Sequence, residues 1–276
     1  MFGRGTTGRR GGGCSGRLIM ALIVAGVSLF TYFSSQSTNP VTNEVQHVSM
    51  TPDQEIAMGL QAAPEVAAEF GGLDPNENDQ RRVQEIGASI IQNSVASGTP
   101  YEYDFYLLAD PETVNAFALP GGQIFITRAL YNLLETDDEL AGVLGHEAGH
   151  VVGRHSAEQI AKAQLTQGLT GAAVIAACDP NNPRGCVAAS SMAALVGQII
   201  NMRYGREDEL QSDWLGVCFM NQSGYDASQM VRVMEVLQSA SGGQPRQPEF
   251  LSTHPDPGNR IQQIQESLQQ LDQCPG

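Results

Sequence analysis

The chain has 276 residues, long enough to bury a substantial core in one large domain or two small ones. Residues 1–43 hold four of the 15 basic side chains and no acidic one, so the remaining residues carry 30 acidic side chains against 11 basic ones, a net charge of −19. So acidic a chain argues against nucleic acid as the main partner, because binding phosphates needs clustered lysine and arginine.

The N-terminal region predicts a membrane-anchoring helix. Residues 18–33 are almost wholly apolar and follow a basic, glycine-rich leader, residues 1–17. The run is slightly short of the ~20 apolar residues of a spanning helix and slightly long for the apolar core of a signal peptide. No small-residue cleavage site follows it, which favours an uncleaved signal anchor over a cleaved leader. Because the arginines keep the N-terminus in the cytoplasm, we expect residues 34–276 in the periplasm, either membrane-anchored or, if the leader is removed, secreted.

Beyond a linker at residues 34–50, the patterning predicts one mainly α-helical domain with a small β-sheet, an α+β fold. From capping residues and apolar periodicity, helices are predicted at 51–70, 78–96, 128–134, 137–165, 169–177, 187–204, 205–221, 226–240 and 259–271. Aromatic and β-branched residues predict strands at 101–108 and 123–127, with a turn at Pro120-Gly121-Gly122 before the second. The apolar segments 169–177 and 187–200 are each too short to span a membrane, and their alanine, glycine and serine content favours close helix packing.

The five cysteines are weakly indicative of an exported protein. Cys178 and Cys186 flank a polar, turn-rich loop in which a disulfide forms easily, and Cys218 could pair with Cys274. Ordinary buried thiols are an equal alternative, and the chain has no C-x-x-C metal motif.

The stretch H-E-A-G-H predicts a metal site. His146 and His150 stand at i and i+4, so they share one face of a helix and can bind a single Zn²⁺ at about 2 Å each. Glu147 is placed to hold the attacking water rather than the metal. The helix is indicated by an apolar stripe at Leu140, Val143, Leu144 and Val151. Glu147 falls on that stripe, and a carboxylate directed at a core needs a partner or a chemical task.

The third ligand separates two enzyme classes. The pattern H-E-x-x-H-x-x-G-x-x-H needs a histidine where this chain has Ser156, and His155 comes one place early. His155 is therefore expected to be a structural residue, hydrogen-bonded near the helix end. Alternatively a later helix supplies a glutamate: Glu209 and Asp213 stand at i and i+4, so one can ligate while the other accepts the N–H of a metal-bound histidine. A solvated acidic helix face explains the same pair equally well.

Four segments together resemble the gluzincin metallopeptidases that include HtpX, the CAAX prenyl protease and the periplasmic LoiP/BepA-type proteases. They are N-A-F-A-L-P-G-G-Q-I-F-I-T-R, D-E-L-A-G-V-L-G-H-E-A-G-H-V-V-G-R-H-S, R-E-D-E-L-Q-S-D-W-L-G and S-T-H-P-D-P-G-N-R, in the family's order over most of residues 50–265. The resemblance implies a zincin-like metallopeptidase domain over residues 51–276. A single apolar run differs from the multi-spanning members, which favours the periplasmic subgroup. Gln211 and Ser212 stand where the family often has glutamate and usually alanine, and neither change threatens zinc binding.

By this resemblance one Zn²⁺ per chain is held by His146, His150 and Glu209, with Glu147 as general base. Asp213 is implied to accept a hydrogen bond from a metal-bound histidine, and Arg260 to have a structural or electrostatic role. His254 is implied to stabilise the oxyanion or to sit on the metal in a resting state. An extended substrate is implied to bind along an edge strand made of Asn115, Ala116, Phe117, Ala118, Leu119 and Pro120.

The predicted function is a zinc metalloendopeptidase that hydrolyses peptide bonds of exported or membrane-associated, misfolded proteins outside the cytoplasm. One alternative is a non-catalytic zinc-containing chaperone or binding module. It is disfavoured because every catalytic position is filled, Glu147 included. The other is a metzincin-type protease that takes His155 as its third ligand.

Overall fold

Helices make up most of the chain, as the apolar periodicity predicts. The computed structural model describes residues 13–177, 203–241, 249–254 and 259–276. The helices are α1 (Gly13–Ser34), α2 (Pro52–Glu69), α3 (Glu77–Gln92), α4 (Arg128–Tyr131), α5 (Asp137–Gly153), α6 (His155–Ala177), α7 (Arg206–Gln222), α8 (Gln229–Ser241), α9 (Glu249–Thr253) and α10 (Arg260–Ser267). The strands are β1 (Gln36–Thr38), β2 (Val45–His47), β3 (Asp104–Leu108), β4 (Ala116–Ala118) and β5 (Gln123–Thr127), and short 3₁₀ turns lie at Val95–Gly98 and Leu271–Gln273. The predicted α+β class is confirmed.

The main sheet has the strand order β3-β5-β4, with β3 and β5 parallel and β4 antiparallel to β5. The predicted turn between β4 and β5 needs glycine, because Gly121 and Gly122 have φ values of 86° and 112°. A Cβ on Gly121 would also lie 2.4 Å from the Cα of Ile56 on α2. The turn therefore packs tightly against α2. The strand order places β4 at an edge of the sheet.

The segment predicted as a linker, residues 34–50, contains a small hairpin formed by β1 and β2. The hairpin is attached to the end of α5. Asn39 is 2% exposed and its Nδ2 donates to the carbonyl of Val152 at 2.8 Å, and the Nε2 of buried Gln46 donates to the carbonyl of Gly153. These side chains satisfy carbonyls that a helix end leaves without intrahelical partners.

The helix predicted over 137–165 is interrupted at Arg154, and the prediction of one continuous helix is wrong. Arg154 is in the left-handed conformation, with φ 59° and ψ 27°, and its N–H bonds back to the carbonyls of His150 and Val151. Tertiary contacts hold it there, because its guanidinium bonds to buried Glu55 and to the carbonyl of Met50. Left-handed helix ends usually carry glycine, so an arginine gave no stop signal. α6 then continues through the predicted break before residue 169.

Helices α5 and α7 cross at very close range. A Cβ on Gly149 would lie 2.9 Å from the carbonyl oxygen of Ser212, and one on Gly216 would lie 3.0 Å from the backbone nitrogen of His146. α5 is buried along its whole length from Glu139 to Gly153 rather than on one stripe. The small residues let the backbones approach until side chains of both helices meet at one point.

The remaining boundaries shift by a few residues. The strand predicted from residue 101 begins at Asp104, and the helix predicted over 259–271 covers Arg260–Ser267. Cys218 and Cys274 form a disulfide. The possible Cys178–Cys186 pair and the helix predicted at 187–204 lie outside the described residues, apart from 203 and 204.

Candidate metal centre

Four side chains from three parts of the chain meet in the core. His146 and His150 come from α5, Glu209 from the first turn of α7, and His254 from the residue after α9. All four are buried, and one donor atom from each lies within 4.8 Å of the others. The Tyr204 N–H donates to the carbonyl of Thr253 at 3.1 Å, which ties the segment before α7 to the end of α9.

The distances within the group fit a metal ion. His146 Nε2 lies 3.1 Å from His150 Nε2 and 3.3 Å from His254 Nδ1. The carboxylate oxygens of Glu209 lie 3.6 Å from each of the two α5 Nε2 atoms and 3.1 Å from His254 Nδ1. Tetrahedral donors about 2.0–2.1 Å from a central Zn²⁺ are roughly 3.3–3.4 Å apart. Imidazole nitrogen and carboxylate oxygen are also the donors that zinc accepts, so the residues fit it.

A buried carboxylate orients His146 through the ring nitrogen that faces away from the group. Asp213 Oδ1 lies 2.9 Å from His146 Nδ1, and Arg260 donates to both Asp213 oxygens at 2.6 and 2.8 Å. Burial acts against the charge of Asp213, but Arg260 and His146 outweigh it and lower the pKa of Asp213 to about 2. An ionised Asp213 accepts the Nδ1–H, so the lone pair of His146 Nε2 faces the group. Arg260 also lies 3.1 Å from Glu209, whose pKa it lowers together with His254, against the effect of burial.

His150 is oriented by a chain of neutral groups. Its Nδ1 lies 2.9 Å from His155 Nδ1, and His155 Nε2 lies 2.9 Å from Gln211 Oε1. Because the amide oxygen only accepts, His155 carries its proton on Nε2 and accepts the Nδ1–H of His150 on Nδ1. Burial lowers the pKa values of both His150 and His155, which keeps them neutral. His155 is thus a hydrogen-bonded residue at the helix end, outside the group of four, as its register predicts.

Glu147 lies beside the group with no hydrogen-bond partner among the described residues. Both of its carboxylate oxygens are buried, and Oε1 lies 3.7 Å from His254 Nε2. Burial raises the pKa of Glu147, although His254 and His146 act in the opposite direction. A buried carboxylate with a raised pKa and free oxygens is suited to accept and return a proton.

Two aromatic rings that the sequence analysis missed pack on the histidines. Tyr204 stacks on His150 with ring centroids 4.0 Å apart, and its hydroxyl lies 2.8 Å from Ser156 Oγ. Phe250 stacks on His254 at 4.4 Å. Tyr204 is the last residue of the helix predicted at 187–204, and Phe250 lies in a segment with no periodic signal. In the sequence, only their positions a few residues before Glu209 and His254 indicate that they lie near the site.

The structure brings together seven of the residues that the sequence singled out: His146, Glu147, His150, Glu209, Asp213, His254 and Arg260. The candidate substrate-binding residues Asn115, Ala116, Phe117, Ala118, Leu119 and Pro120 form β4 and its flanks and are all buried. Ala116 and Ala118 belong to the same core cluster as Val143 and Leu144 of α5. The side-chain amide of Asn115 has no hydrogen-bond partner among the described residues.

Comparison with known proteins identifies the family. Peptidase family M48 matches residues 77–268. The chain is 28% identical over 252 residues to the mitochondrial metalloendopeptidase OMA1 of Schizosaccharomyces pombe, covering 91% of this chain and 71% of that protein. It is 27% identical over 267 residues to the β-barrel assembly-enhancing protease of Escherichia coli, covering 92% of this chain and 52% of that protein, about half its length. Since the family match covers well over half of its residues, the chain belongs to peptidase family M48 and is a metalloendopeptidase, a hydrolase of peptide bonds.

Proposed function

We propose that this chain is a zinc-dependent metalloendopeptidase that degrades misfolded exported or membrane-associated proteins outside the cytoplasm. The observation that carries the proposal is the buried group of His146, His150, Glu209 and His254, with the partnerless carboxylate of Glu147 beside it. Three of the four, His146, His150 and Glu209, are the proposed protein ligands of one ion. His254 is the proposed oxyanion donor, and the closeness of its Nδ1 to the other three donors supports the alternative that it sits on the metal in a resting state.

The chemistry divides between the ion and the side chains. A bound Zn²⁺ would polarise the scissile carbonyl and lower the pKa of its water to about 7. Glu147 takes a proton from the attacking water and returns it to the leaving amine, a task that its raised pKa supports. Burial lowers the pKa of His254, but Glu209 and Glu147 outweigh it and raise the pKa overall, so the imidazole can donate to an oxygen that gains negative charge. Removing a donor of this kind from other enzymes lowers kcat by ~10²–10³-fold.

The substrate is proposed to bind as an extended strand along β4. Leu119 N–H donates to the carbonyl of Gln123, and Thr127 N–H donates to the carbonyl of Asn115. Because residues of an antiparallel strand alternate in bonding their neighbour, the main-chain groups of Ala116 and Ala118 point away from β5 and toward the edge. Adding a strand at such an edge supplies backbone hydrogen bonds that do not depend on sequence. The buried amide of Asn115 is a further donor and acceptor next to this edge. This mode suits unfolded chains of varied sequence.

The location outside the cytoplasm rests on two observations. Among the described helices, the one at Gly16–Ser34 is long and apolar enough to cross a membrane, and arginines precede it. The Cys218–Cys274 disulfide is typical of oxidising compartments. We therefore assign residues 1–17 as leader, 18–33 as anchor, 34–50 as juxtamembrane segment and 51–276 as metallopeptidase domain. An E. coli relative named for β-barrel assembly supports substrates among exported proteins.

Glu147→Gln tests the catalytic assignment. The variant keeps the shape and burial of the side chain but cannot accept a proton, so cleavage of casein by the purified full-length chain should be lost while metal content measured by mass spectrometry stays at one zinc per chain. Glu102→Gln, on a glutamate outside the group, is a matched control that should cleave normally. If Glu147→Gln retains activity, or if the wild type carries no zinc, the proposal is wrong. Exported proteins that accumulate in a strain lacking the chain would identify the substrates.

A further inference from the structure

The helix that follows the metal-binding helix packs along the proposed membrane anchor. Gly168 of α6 lies so close to α1 that a Cβ on it would be 2.1 Å from Ser28 Oγ. One small cavity is lined by Thr31 and Ser35 near the end of α1 and by Ala161 and Gln164 near the start of α6. Late residues of α1 therefore face early residues of α6, so the two helices are antiparallel.

Outside the face that packs against α6, the surface of α1 is apolar and exposed. Its exposed large side chains are Leu18, Ile19, Met20, Leu22, Ile23, Val27, Leu29, Phe30 and Phe33. Its apolar segment of 19 residues is about 28 Å long at ~1.5 Å per residue, which matches a hydrocarbon core of ~30 Å. A helix with this surface needs a lipid environment, and any element packed along its length lies in the same environment.

The charge pattern of α6 agrees with that placement. If α1 is centred in the bilayer, Ser28 and its neighbour Gly168 lie roughly 4–5 Å from the midplane, on the outer side. Lys162, the last charged residue of α6, is then ~13 Å from the midplane, near the edge of a core about 15 Å deep on each side. Residues 163–177 carry no charge and extend past the midplane.

The polar groups of this half of α6 are few and uncharged. Thr166 Oγ1 donates to the carbonyl of Lys162 at 2.9 Å, which satisfies the hydroxyl within the helix. The exposed face carries Gln167 and Thr170 beside Leu169. α6 has 23 residues and is long enough to span, and this mixed face explains why it is not apolar enough to qualify as a spanning helix by itself.

We propose that residues 163–177 of α6 are embedded in the same lipid bilayer as α1, so that the metalloprotease site is held at the membrane surface. One residue separates α5 from α6, and the eight residues from His155 to Lys162 span only about 10 Å. The hairpin of β1 and β2, which follows α1 directly, binds the same end of α5 through Asn39 and Gln46. Two connections thus fix the metal-binding helix close to the bilayer, and substrates must present their cleavage site there. The proposal rests on the proposed anchoring by α1.

Tryptophan fluorescence in vesicles tests the depth of α6. The chain has one tryptophan, Trp214 on α7, whose emission is the baseline. Leu169→Trp, Lys162→Trp and Ile23→Trp are each reconstituted as full-length protein in phosphatidylcholine vesicles, with and without acyl chains brominated near their ends. Leu169 and Lys162 lie on the same face of α6, two turns apart, so they form a matched pair that differs by ~10 Å in depth.

The expected result is loss of the added emission to brominated lipid for Ile23→Trp and Leu169→Trp, with little loss for Lys162→Trp. Quenching of Ile23→Trp but not of Leu169→Trp would overturn the embedding of α6 while leaving the anchor in place. No quenching of either would overturn the anchor and, with it, the embedding. Equal quenching at positions 162 and 169 would contradict the depth assigned here. If Leu169→Trp does not fold, Ala173→Trp on the exposed face one turn deeper gives the same readout.

Discussion

Replacing His155 with alanine is expected to weaken metal binding without changing the number of ions bound. His155 is 3% exposed, and its Nδ1 lies 2.9 Å from His150 Nδ1. Alanine removes the acceptor of the His150 Nδ1–H and leaves that donor buried. Loss of such supporting contacts typically lowers metal affinity 10–100-fold, or about 1.4–2.8 kcal/mol. The unsatisfied donor should cost about 1–3 kcal/mol of folding stability.

The matched variant is His155→Asn, because an asparagine side-chain oxygen can take the place of the Nδ1 atom as acceptor. It should recover most of the affinity that alanine loses, whereas a purely space-filling role would give no such recovery. Competition against a chromophoric chelator measures the dissociation constant, and thermal unfolding of the chelated protein separates the effect on stability.

Two outcomes would refute the reasoning. If His155→Ala binds no zinc at saturating concentration while Glu209→Ala still binds one, His155 is the third ligand and the enzyme is of the metzincin type. If alanine and asparagine at 155 both bind zinc as the wild type does, the hydrogen bond to His150 has no influence on the site.

Two further predictions concern stability. Arg154→Ala should cost about 3–5 kcal/mol in denaturant unfolding, because it leaves buried Glu55 without its counter-charge, and the double variant with Glu55→Gln should recover much of that loss; equal stabilities of the single and double variants would contradict this. Cys274→Ser should lower the unfolding free energy by about 2–4 kcal/mol, since the bond to Cys218 closes a loop of 56 residues. A reductant should lower the Tm of the wild type similarly and leave the variant unchanged.

The part of the site that lies on one helix was predictable from the sequence. The 3.6-residue period alone predicts that His146, Glu147 and His150 lie close together on one helix, and the register predicts that His155 lies outside their group. Helical periodicity did not predict that Glu209 lies beside these histidines, because its i,i+4 relation to Asp213 suits a solvated helix face equally well. What brings Glu209 to the histidines is the close crossing of α5 and α7, which local periodicity does not encode.

The features that were missed depend on contacts distant in sequence. The break at Arg154 is held by Glu55, about a hundred residues earlier, and no glycine marks it. The β1–β2 hairpin lies in a polar segment without strand periodicity and is stabilised by bonding the end of α5. Gln211 lies outside the group of four, and nothing in its local sequence indicates that its side-chain oxygen accepts a hydrogen bond from His155.

The charges of the buried site predict how its stability depends on an ion. Among the described residues, Arg260 supplies the one guanidinium near the carboxylates of Glu147, Glu209 and Asp213. Three ionised carboxylates and one guanidinium leave two negative charges, and a divalent cation balances them. Uncompensated buried charge is costly, so chelation should destabilise the fold.

Without the ion, protons are the remaining source of positive charge, and the pKa values of Glu147 and His254 are both raised. A group whose pKa is raised in the folded state contributes stability at low pH and loses it as the pH rises through that pKa. Below about pH 6.5 the lowered pKa values of His150 and His155 act in the opposite direction, so the test range lies above it. From pH 6.5 to 8 the Tm of the chelated protein should fall, while the zinc-loaded protein changes less, so the difference between them widens. Ligand deprotonation strengthens metal binding in the same direction. A difference in Tm that stays constant or narrows over this range would show that the ion does not balance these buried charges.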